Sequence, residues 1–269
     1  MRITIMAPMR APIYQLDAFT SHRFAGNPAA VMLLEAFLPD AMLQSIAAEN
    51  NLAETAFLVR AGDDYRLRWF TPVLEVPLCG HATLASAAVV MERLEPSRQR
   101  VIFHTASGPL TVDRRGAGYV MDFPVRHCEP VAAPAGLGEA LGARAIDVVA
   151  DKFAYLVLLD NANSVRELAP DLAAITRLDR VGVIVTAADD GHYDFVSRYF
   201  APARGMPEDP VTGSAHCALT PYWAKRLNRT SFRAFQASRR GGEILCRLKQ
   251  GRVELEGPCV FYLEGHAEI

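Results

Sequence analysis

The chain has 269 residues, of which 51% are hydrophobic and 22% are charged, a composition that predicts folded domains and excludes a disordered chain. Its formal net charge of −2 gives no electrostatic reason to expect nucleic acid or an anionic membrane as a partner. No apolar run approaches the ~20 residues that a membrane-spanning helix needs.

The five cysteines are an odd number and contain no Cys-x-x-Cys pair. This pattern argues against a disulfide framework and predicts a protein of the reducing cytoplasm. Residues 1–10 are too short for a secretory leader, and we interpret them as an extension ahead of the first domain.

The first half of the chain contains clear strand and helix signals. Pro39 and Asp40 favour the start of a helix, and Asn51 can end it in a left-handed conformation. The predicted elements are a strand over 28–34, a helix over 39–50, strands over 55–60 and 65–70, a buried alanine-rich helix over 82–94 and strands within 101–123.

The second half follows residues 126–141, which are rich in proline, alanine and glycine and predict a linker. Its predicted helices cover 170–177 and 215–227, with Pro221 inside the second helix. Its predicted strands cover 154–159, 181–186, 194–200, 232–235, 243–248 and 252–255.

The two halves resemble each other at an offset close to 130 residues. Arg68-Trp69-Phe70-Thr71-Pro72 returns as Arg198-Tyr199-Phe200-Ala201-Pro202, and each half has a glycine-containing polar turn before an apolar helix. A repeat of this length indicates two copies of one domain, which we place at residues 11–128 and 129–269. Strands in series around one buried helix predict an α+β unit used twice, and ligand sites favour the cleft between such domains.

Glu54 is the first candidate for chemistry because it lies between a helix end and an apolar strand. Its counterpart at the repeat offset falls near Gly182, where there is no acid. Partial burial would bring the pKa of such a carboxyl towards neutrality, where it can take and give a proton. The alternative is an exposed acid at the end of a strand, which position alone favours.

His81 follows Gly80 at the start of the first apolar helix. Gly80 allows close approach of a ligand to the backbone, and His81 could contact substrate or pair with an acid. The alternative is a histidine that only packs or caps the helix.

The third candidate is the turn from Asp209 to Ser214. The amides and hydroxyls of Thr212, Gly213 and Ser214 precede or begin a helix and could bind a carboxylate. The alternative is ordinary capping of the helix by Asp or Ser.

Cys79 suggests two further possibilities. It could be a thiol base or nucleophile activated by His81 and the helix N-terminus. It could also bind a metal together with His81, His216 and Cys217, but the spacing of these residues matches no standard zinc pattern.

Several strings of the chain together resemble the PhzF-like family of phenazine-biosynthesis isomerases and their relatives. The strings are Gln15-Leu16-Asp17-Ala18-Phe19-Thr20, Phe24-Ala25-Gly26-Asn27-Pro28-Ala29-Ala30-Val31, Asn51-Leu52-Ala53-Glu54-Thr55, Gly80-His81-Ala82-Thr83-Leu84 and Asp209-Pro210-Val211-Thr212-Gly213-Ser214-Ala215. Their order along the chain is far more specific than any one of them.

The resemblance implies a diaminopimelate-epimerase-like fold: two similar domains, each a curled, mainly antiparallel sheet around a central helix, with the active site in the inter-domain cleft. It implies a homodimeric isomerase that works without a metal or other cofactor. The implied catalytic residues are Glu54, His81 and Asp209, with Glu54 moving the proton. The implied substrate-binding residues are Asn27, Gly80, Gly213 and Ser214.

The related amino-acid epimerases use two opposed cysteines, and Cys79 falls where the first would be. The second half has Val211 or Thr212 at the comparable place, so the pair of thiols is incomplete. We therefore predict an isomerase of a small carboxylate-bearing substrate with Glu54 as acid and base. The alternatives are a thiol-dependent amino-acid epimerase or racemase that uses Cys79, and a non-catalytic protein that binds small carboxylates.

Overall fold

The structure, a computed structural model, describes residues 9–269. Residues 1–8 of the predicted N-terminal extension lie outside the described residues, and Arg10 begins the first strand. None of the helices within residues 9–269 is long and apolar enough to cross a membrane. All five cysteines are free thiols, in agreement with the absence of a disulfide framework.

Strands dominate the described chain. In chain order they are β1 (Arg10–Ala18), β2 (Asn27–Leu34), β3 (Glu54–Ala61), β4 (Asp64–Phe70), β5 (Glu75–Val76), β6 (Arg100–Thr105), β7 (Gly108–Arg115), β8 (Gly118–Pro124), β9 (Glu129–Pro130), β10 (Asp147–Ala150), β11 (Ala154–Leu158), β12 (Gly182–Ala188), β13 (Phe195–Ala201), β14 (Met206–Asp209), β15 (Ser231–Gln236), β16 (Gly242–Lys249), β17 (Arg252–Gly257) and β18 (Cys259–Glu268). The α-helices are α1 (Asp40–Asn50), α2 (Gly80–Val89), α3 (Leu137–Leu141), α4 (Ala162–Arg166), α5 (Leu172–Thr176) and α6 (Gly213–Leu227). A π-helical turn spans Val90–Leu94 and a 3-10 turn spans Pro202–Arg204.

The chain divides into two compact units. The first consists of the described residues up to Arg23 together with Pro28–Tyr119 and Pro258–Ile269, and the second consists of Phe24–Asn27 and Val120–Gly257. These bounds differ from the predicted ranges 11–128 and 129–269 mainly at the C-terminus. The reason is the pairing of β18 with the whole of β1, from Arg10↔Glu268 to Ala18↔Cys259.

The two units repeat one order of strand pairing. In the first unit β2 runs parallel to β3, β3 antiparallel to β4, β4 parallel to β6, and β6 antiparallel to β7. In the second unit β11, β12, β13, β15 and β16 pair in the same succession. The repeat found in the sequence therefore corresponds to a repeated strand topology. The predicted α+β, epimerase-like fold class is confirmed. The predicted position of the active site, in a cleft between domains, stays a prediction.

Each unit has one central helix, inserted at the same place in the strand order. In α2 every side chain from His81 to Val89 is buried, as expected for a helix that is apolar all round. Helix α6 buries eight of its residues and contains Pro221. The helices predicted over 82–94 and 215–227 are thus confirmed.

Helix α1 begins one residue after the predicted start and ends at the predicted residue, Asn50. Asn51 follows it in the left-handed region (φ 48°, ψ 37°) and donates its backbone N–H to the Ala47 carbonyl. A side chain that tolerates this conformation stops the helix just before Glu54.

The sequence did not predict the strands β1, β5, β9, β10, β14 and β18 or the helices α3 and α4, and the segment predicted as a linker contains β9 and α3. The two helices have five residues each. That length is too short for a repeating apolar pattern, so sequence periodicity could not find them.

Gly182 occupies the position in the second unit that Glu54 occupies in the first. Glu54 begins β3 opposite Ala29 of β2, and Gly182 begins β12 opposite Ala154 of β11. A Cβ atom at Gly182 would lie 2.5 Å from the hydroxyl oxygen of Tyr199 and 2.7 Å from two of its ring carbons. The tyrosine of β13 therefore fills the space that a side chain at this position would need.

We expect Gly182→Ala to lower the free energy of unfolding by about 1–3 kcal/mol, because the buried Tyr199 ring must move to admit a methyl group. Gly138→Ala in α3 is the matched control, since its nearest heavy atom is the Ala143 carbonyl oxygen at 3.6 Å. It should be neutral or stabilising by up to about 1 kcal/mol. Denaturant titration measures both, and a Gly182→Ala protein as stable as wild type would contradict the packing described above.

Candidate active site

Glu54 is a buried carboxylate. It is the first residue of β3, separated from the end of α1 by Asn51 and two further residues, and only 6% of its surface is exposed. The alternative of an exposed acid at a strand end is therefore wrong. A carboxylate sheltered in this way needs a partner, because an isolated buried charge is costly.

His81 is that partner. It is the second residue of α2 and is 5% exposed. Its Nε2 atom lies 3.0 Å from Oε2 of Glu54, which is an ion-pair distance. The two atoms are not aligned as a hydrogen bond, and neither has another hydrogen-bond partner in the part of the chain that the structure describes. Both atoms therefore keep hydrogen-bonding capacity for a third group.

Cys79 contacts the other nitrogen of the same ring. It is the residue immediately before α2, in extended conformation, and its Sγ lies 3.5 Å from Nδ1 of His81. Burial raises the pKa of the Cys79 thiol to about 11, and the charge of Glu54 adds to this effect. The thiol is therefore protonated near neutral pH, which disfavours its use as a base.

The pKa of His81 results from opposing effects. Burial by itself would lower it, but the contacts with Cys79 and Glu54 raise it well above the usual value of 6.5. We take the Glu54 carboxylate as the main cause of the increase, since a protonated Cys79 has no charge to contribute. At neutral pH the raised pKa favours a protonated imidazole beside Glu54.

Glu54, Cys79 and His81 are also the group of possible metal ligands found among residues 9–269, with one ligand atom from each within 4.8 Å of the others. The sulfur and the carboxylate oxygen, however, approach different nitrogens of the imidazole ring. A metal ion bound by His81 takes one nitrogen, so this arrangement would have to change before all three residues could bind one ion.

A second buried polar cluster lies in the second unit around Asp209, the last residue of β14. One carboxylate oxygen accepts a hydrogen bond from Nδ2 of Asn27 at 2.7 Å, and the other accepts one from the Thr212 hydroxyl at 2.6 Å. Asn27 also donates to the Val211 carbonyl. Gln236 closes the cluster, accepting from the Thr212 amide at 2.8 Å and donating to the Asp209 carbonyl at 2.7 Å.

Sequence reasoning missed Gln236 altogether. It lies at the end of β15, is fully buried and joins both sides of the turn that carries Asp209. No local signal marks it, because its partners are 24 and 27 residues away in sequence. The one available hint was an uncharged amide at the position that continues the alternation of the apolar residues Phe232 and Ala234.

The predicted carboxylate-binding residues lie at the starts of the two central helices. Gly80 is the first residue of α2, and Gly213 and Ser214 are the first two residues of α6. Ser214 is exposed, whereas Gly213 is buried. Because the first amides of a helix have no partner within the helix, these positions suit an anionic group.

The repeat places Thr212 at the position of Cys79, since each is the residue that precedes a central helix. Of the two residues suggested from the sequence, the structure selects Thr212 over Val211. Cys217 is a buried residue within α6. The second half therefore has a hydroxyl, already hydrogen-bonded to Asp209, where a two-thiol epimerase would need a thiol.

An open surface groove of about 530 Å³ lies elsewhere on the second unit. Its lining includes Arg144, Ile146, Asp160, Ser164 and Glu167, and none of the predicted site residues. The candidate chemistry is instead in the buried clusters, because those contain the perturbed titratable groups.

His216, considered above as a metal ligand, is a neutral residue within the second unit. Its Nδ1–H donates to the Thr212 carbonyl at 2.8 Å, and burial lowers its pKa to about 4. The pKa in the folded state is below the unfolded value of about 6.5. Its contribution to stability is therefore complete above pH ~6.5 and is lost as the pH falls towards 4.

We expect His216→Asn to reduce the acid sensitivity of the fold. The asparagine amide can donate to the Thr212 carbonyl in place of Nδ1 but does not titrate. Between pH 6.5 and 4.5 the variant should lose about 2 kcal/mol less free energy of unfolding than wild type. Urea titration at several pH values measures the difference, and equal losses in both proteins would contradict the assignment.

The sequence is similar to known proteins over nearly its whole length. A family model described as phenazine biosynthesis-like protein (PhzC-PhzF) matches residues 16–265. A curated protein of Pseudomonas aeruginosa named an uncharacterized isomerase is 49% identical over 261 residues, covering 97% of this chain and 100% of that protein.

Solved structures give the same result. A phenazine biosynthesis protein of the PhzF family from Enterococcus faecalis superposes with a TM-score of 0.94 at 44% identity, over 97% of this chain and 100% of the other. A predicted epimerase from Pseudomonas aeruginosa gives a TM-score of 0.73 at 25% identity, over 96% and 99% of the two chains. These similarities confirm the predicted resemblance and the prediction of an enzyme of the isomerase class. The chain belongs to the phenazine biosynthesis-like (PhzC-PhzF) family.

Proposed function

We propose that the protein is an isomerase that moves a proton between carbons of a small carboxylate-bearing substrate, with Glu54 as base and then acid. The observation that carries the proposal is the buried pair of Glu54 and His81, held 3.0 Å apart at Nε2 and Oε2 with unused hydrogen-bonding capacity on both atoms. A purely structural ion pair would have no need to leave that capacity unfilled.

The proposed reaction balances without a redox partner. The Glu54 carboxylate removes a proton from an activated carbon, the electron pair of the C–H bond shifts into the adjacent unsaturated system, and Glu54 becomes a carboxylic acid. The same group then protonates another carbon, so the double bond moves and the carboxylate is restored. Since proton and electron pair are both returned, the step requires no electron acceptor or metal-bound oxidant.

His81 supports this cycle electrostatically. Its imidazolium beside Glu54 stabilises the carboxylate in a buried setting where an unpaired charge is unfavourable. The proposed role of Asp209 is to position substrate or to relay a proton. Because both oxygens of Asp209 already accept hydrogen bonds from Asn27 and Thr212, the geometry favours positioning.

We propose that Gly80, Gly213 and Ser214 bind substrate directly and that Asn27, the fourth predicted binding residue, acts through the turn that carries Asp209. The helix-start amides at Gly80, Gly213 and Ser214 suit a carboxylate group. Asn27 is fully buried, with its amide nitrogen committed to Asp209 and Val211, so we assign it support of the turn that carries Asp209.

The proposal also covers the oligomeric state, the cellular compartment and the requirement for cofactors. We propose a cytoplasmic homodimer that acts without a metal or other cofactor on a small molecule. Sedimentation analysis of the purified protein tests the dimer, and a screen of small carboxylates for thermal stabilisation tests the substrate class. A ligand at a hundred times its dissociation constant adds ~2.7 kcal/mol to stability, which such a screen detects.

We expect Glu54→Gln to lower kcat/KM by about 10²–10⁴-fold, because the amide is nearly isosteric but cannot carry the proton. The fold and the thermal stabilisation by substrate should be retained. Glu95→Gln is a matched control in the same unit, since Glu95 contacts Tyr65 and Arg98 rather than His81. Activity of Glu54→Gln within a factor of about two of wild type would end the proposed role of Glu54.

The thiol-dependent alternative makes a different prediction for Cys79. If Cys79 were the base, Cys79→Ala would cost about 10²–10⁴-fold, whereas we expect a loss below about tenfold. His81→Ala and Asp209→Ala should each lose far more activity than Cys79→Ala. Should Cys79→Ala silence the protein while Glu54→Gln stays active, the thiol epimerase replaces our proposal. Ligand binding without any exchange of solvent protons would instead indicate a binding protein.

A further inference from the structure

The imidazole ring of His81 is held at both of its nitrogens by different residues. Nε2 faces Oε2 of Glu54 at 3.0 Å, and Nδ1 faces Sγ of Cys79 at 3.5 Å. All three residues are at least 93% buried, with exposed fractions of 6%, 7% and 5% for Glu54, Cys79 and His81. Cys79 has no part in the proton transfer proposed above, so its contact with His81 needs a separate explanation.

We propose that Cys79 is a positioning residue, whose sulfur accepts a hydrogen bond from Nδ1–H of protonated His81 and so holds Nε2 towards Glu54. This inference rests on the proposed function of the Glu54–His81 pair. The inference gives Cys79 a role different from that of the thiol base in the epimerases, although Cys79 lies where the first of their two cysteines would be.

The chemistry of a buried imidazolium requires such an acceptor. A protonated histidine has two N–H donors, and a buried donor without a partner carries a desolvation penalty. Glu54 faces one of these N–H groups as an ion-pair partner, with 3.0 Å between Nε2 and Oε2. Within the described residues, Cys79 supplies the contact recorded for the other. A neutral thiol accepts weakly, but that is sufficient to avoid an unpartnered N–H.

The pKa shifts of Cys79 and His81 agree with a hydrogen bond donated by Nδ1–H to Sγ. Burial raises the pKa of Cys79 to about 11, so the sulfur is a neutral thiol rather than a charged thiolate. The pKa of His81 is raised despite its burial, so both ring nitrogens carry protons near neutral pH. In a protonated ring Nδ1–H is the donor and Sγ, at 3.5 Å, is the acceptor.

The backbone fixes the sulfur where the ring needs it. The carbonyl of Cys79 accepts hydrogen bonds from the hydroxyl and the amide of Thr83, at 2.5 and 3.2 Å. These bonds tie Cys79 to the first turn of α2, two residues before His81. The sulfur and the imidazole are thus carried by one rigid segment, while Glu54 comes from β3.

Among the titratable groups near α2, Glu54 and Cys79 are the ones that shift the pKa of His81. Helix α2 packs against β1, β3 and β18. From these strands, Glu54 of β3 affects the pKa of His81, whereas Asp17 of β1 acts on Cys259 of β18. The protonation of His81 therefore depends on Glu54 and Cys79.

The test is a titration of the His81 ring by ¹⁵N NMR in wild type, Cys79→Ala and Cys79→Ser, with resonances assigned by His81→Gln. Because a hydrogen bond to a charged group is lost, the pKa of His81 should fall by about one pH unit in Cys79→Ala. Cys79→Ser retains an acceptor of similar size and should restore most of that decrease. Cys79→Val, which keeps volume without an acceptor, should behave like the alanine variant and serves if the alanine variant does not fold.

Three results would overturn the inference. They are an unchanged His81 pKa in both the alanine and valine variants, a serine variant that behaves like alanine, and a wild-type Cys79 that is already a thiolate at pH 7 by ultraviolet absorbance. The readout needs no substrate. Failure of the proposed function, seen as full activity of Glu54→Gln, is therefore distinguishable from failure of the Cys79 assignment.

Discussion

The ion pair between Glu54 and His81 is the interaction on which the account depends. A buried ion pair is stable only while both partners stay in contact. The first residue of β3, Glu54, and the second residue of α2, His81, must therefore be held in a fixed relation. Asn51 ends α1 three residues before Glu54, and the buried helix α2 holds His81 within the first unit. Glu54 and His81 are thus positioned by a strand and a helix rather than by loops.

The two units share one scaffold of strand pairing and a central helix. The candidate catalytic residues lie at positions where the two units differ. Both units use the same strand pairing and the same central helix, yet the second has Gly182 under the Tyr199 ring where the first has Glu54. It also has Thr212, bonded to Asp209, where the first has Cys79. The first unit therefore carries the Glu54–His81 pair, and the second carries a hydrogen-bonded cluster around Asp209. This asymmetry favours proton transfer by one carboxylate over a symmetric two-base racemase.

Sequence patterns predicted the central helices, most strands and the candidate residues, since these rest on periodicity, helix-end signals and short motifs. The contacts that those residues make could not be predicted in the same way. The contact of Asn27 with Asp209 joins residues 182 positions apart, and β18 returns from the C-terminus to pair with β1. The burial of Glu54 also reversed what its position alone suggested, because burial depends on elements distant in sequence, such as α2, which packs against β3. Such contacts are set by tertiary packing, which no local pattern records.

The most direct measurement is the fate of the proton. Metal-stripped, nucleotide-free protein should isomerise its substrate in deuterated water and place deuterium at the carbon that gains a proton. Occupancy below one atom per turnover is expected, because a sheltered single base can return the proton that it removed. Turnover that disappears with a chelator and returns with zinc, or substrate that binds without any exchange, would contradict the account.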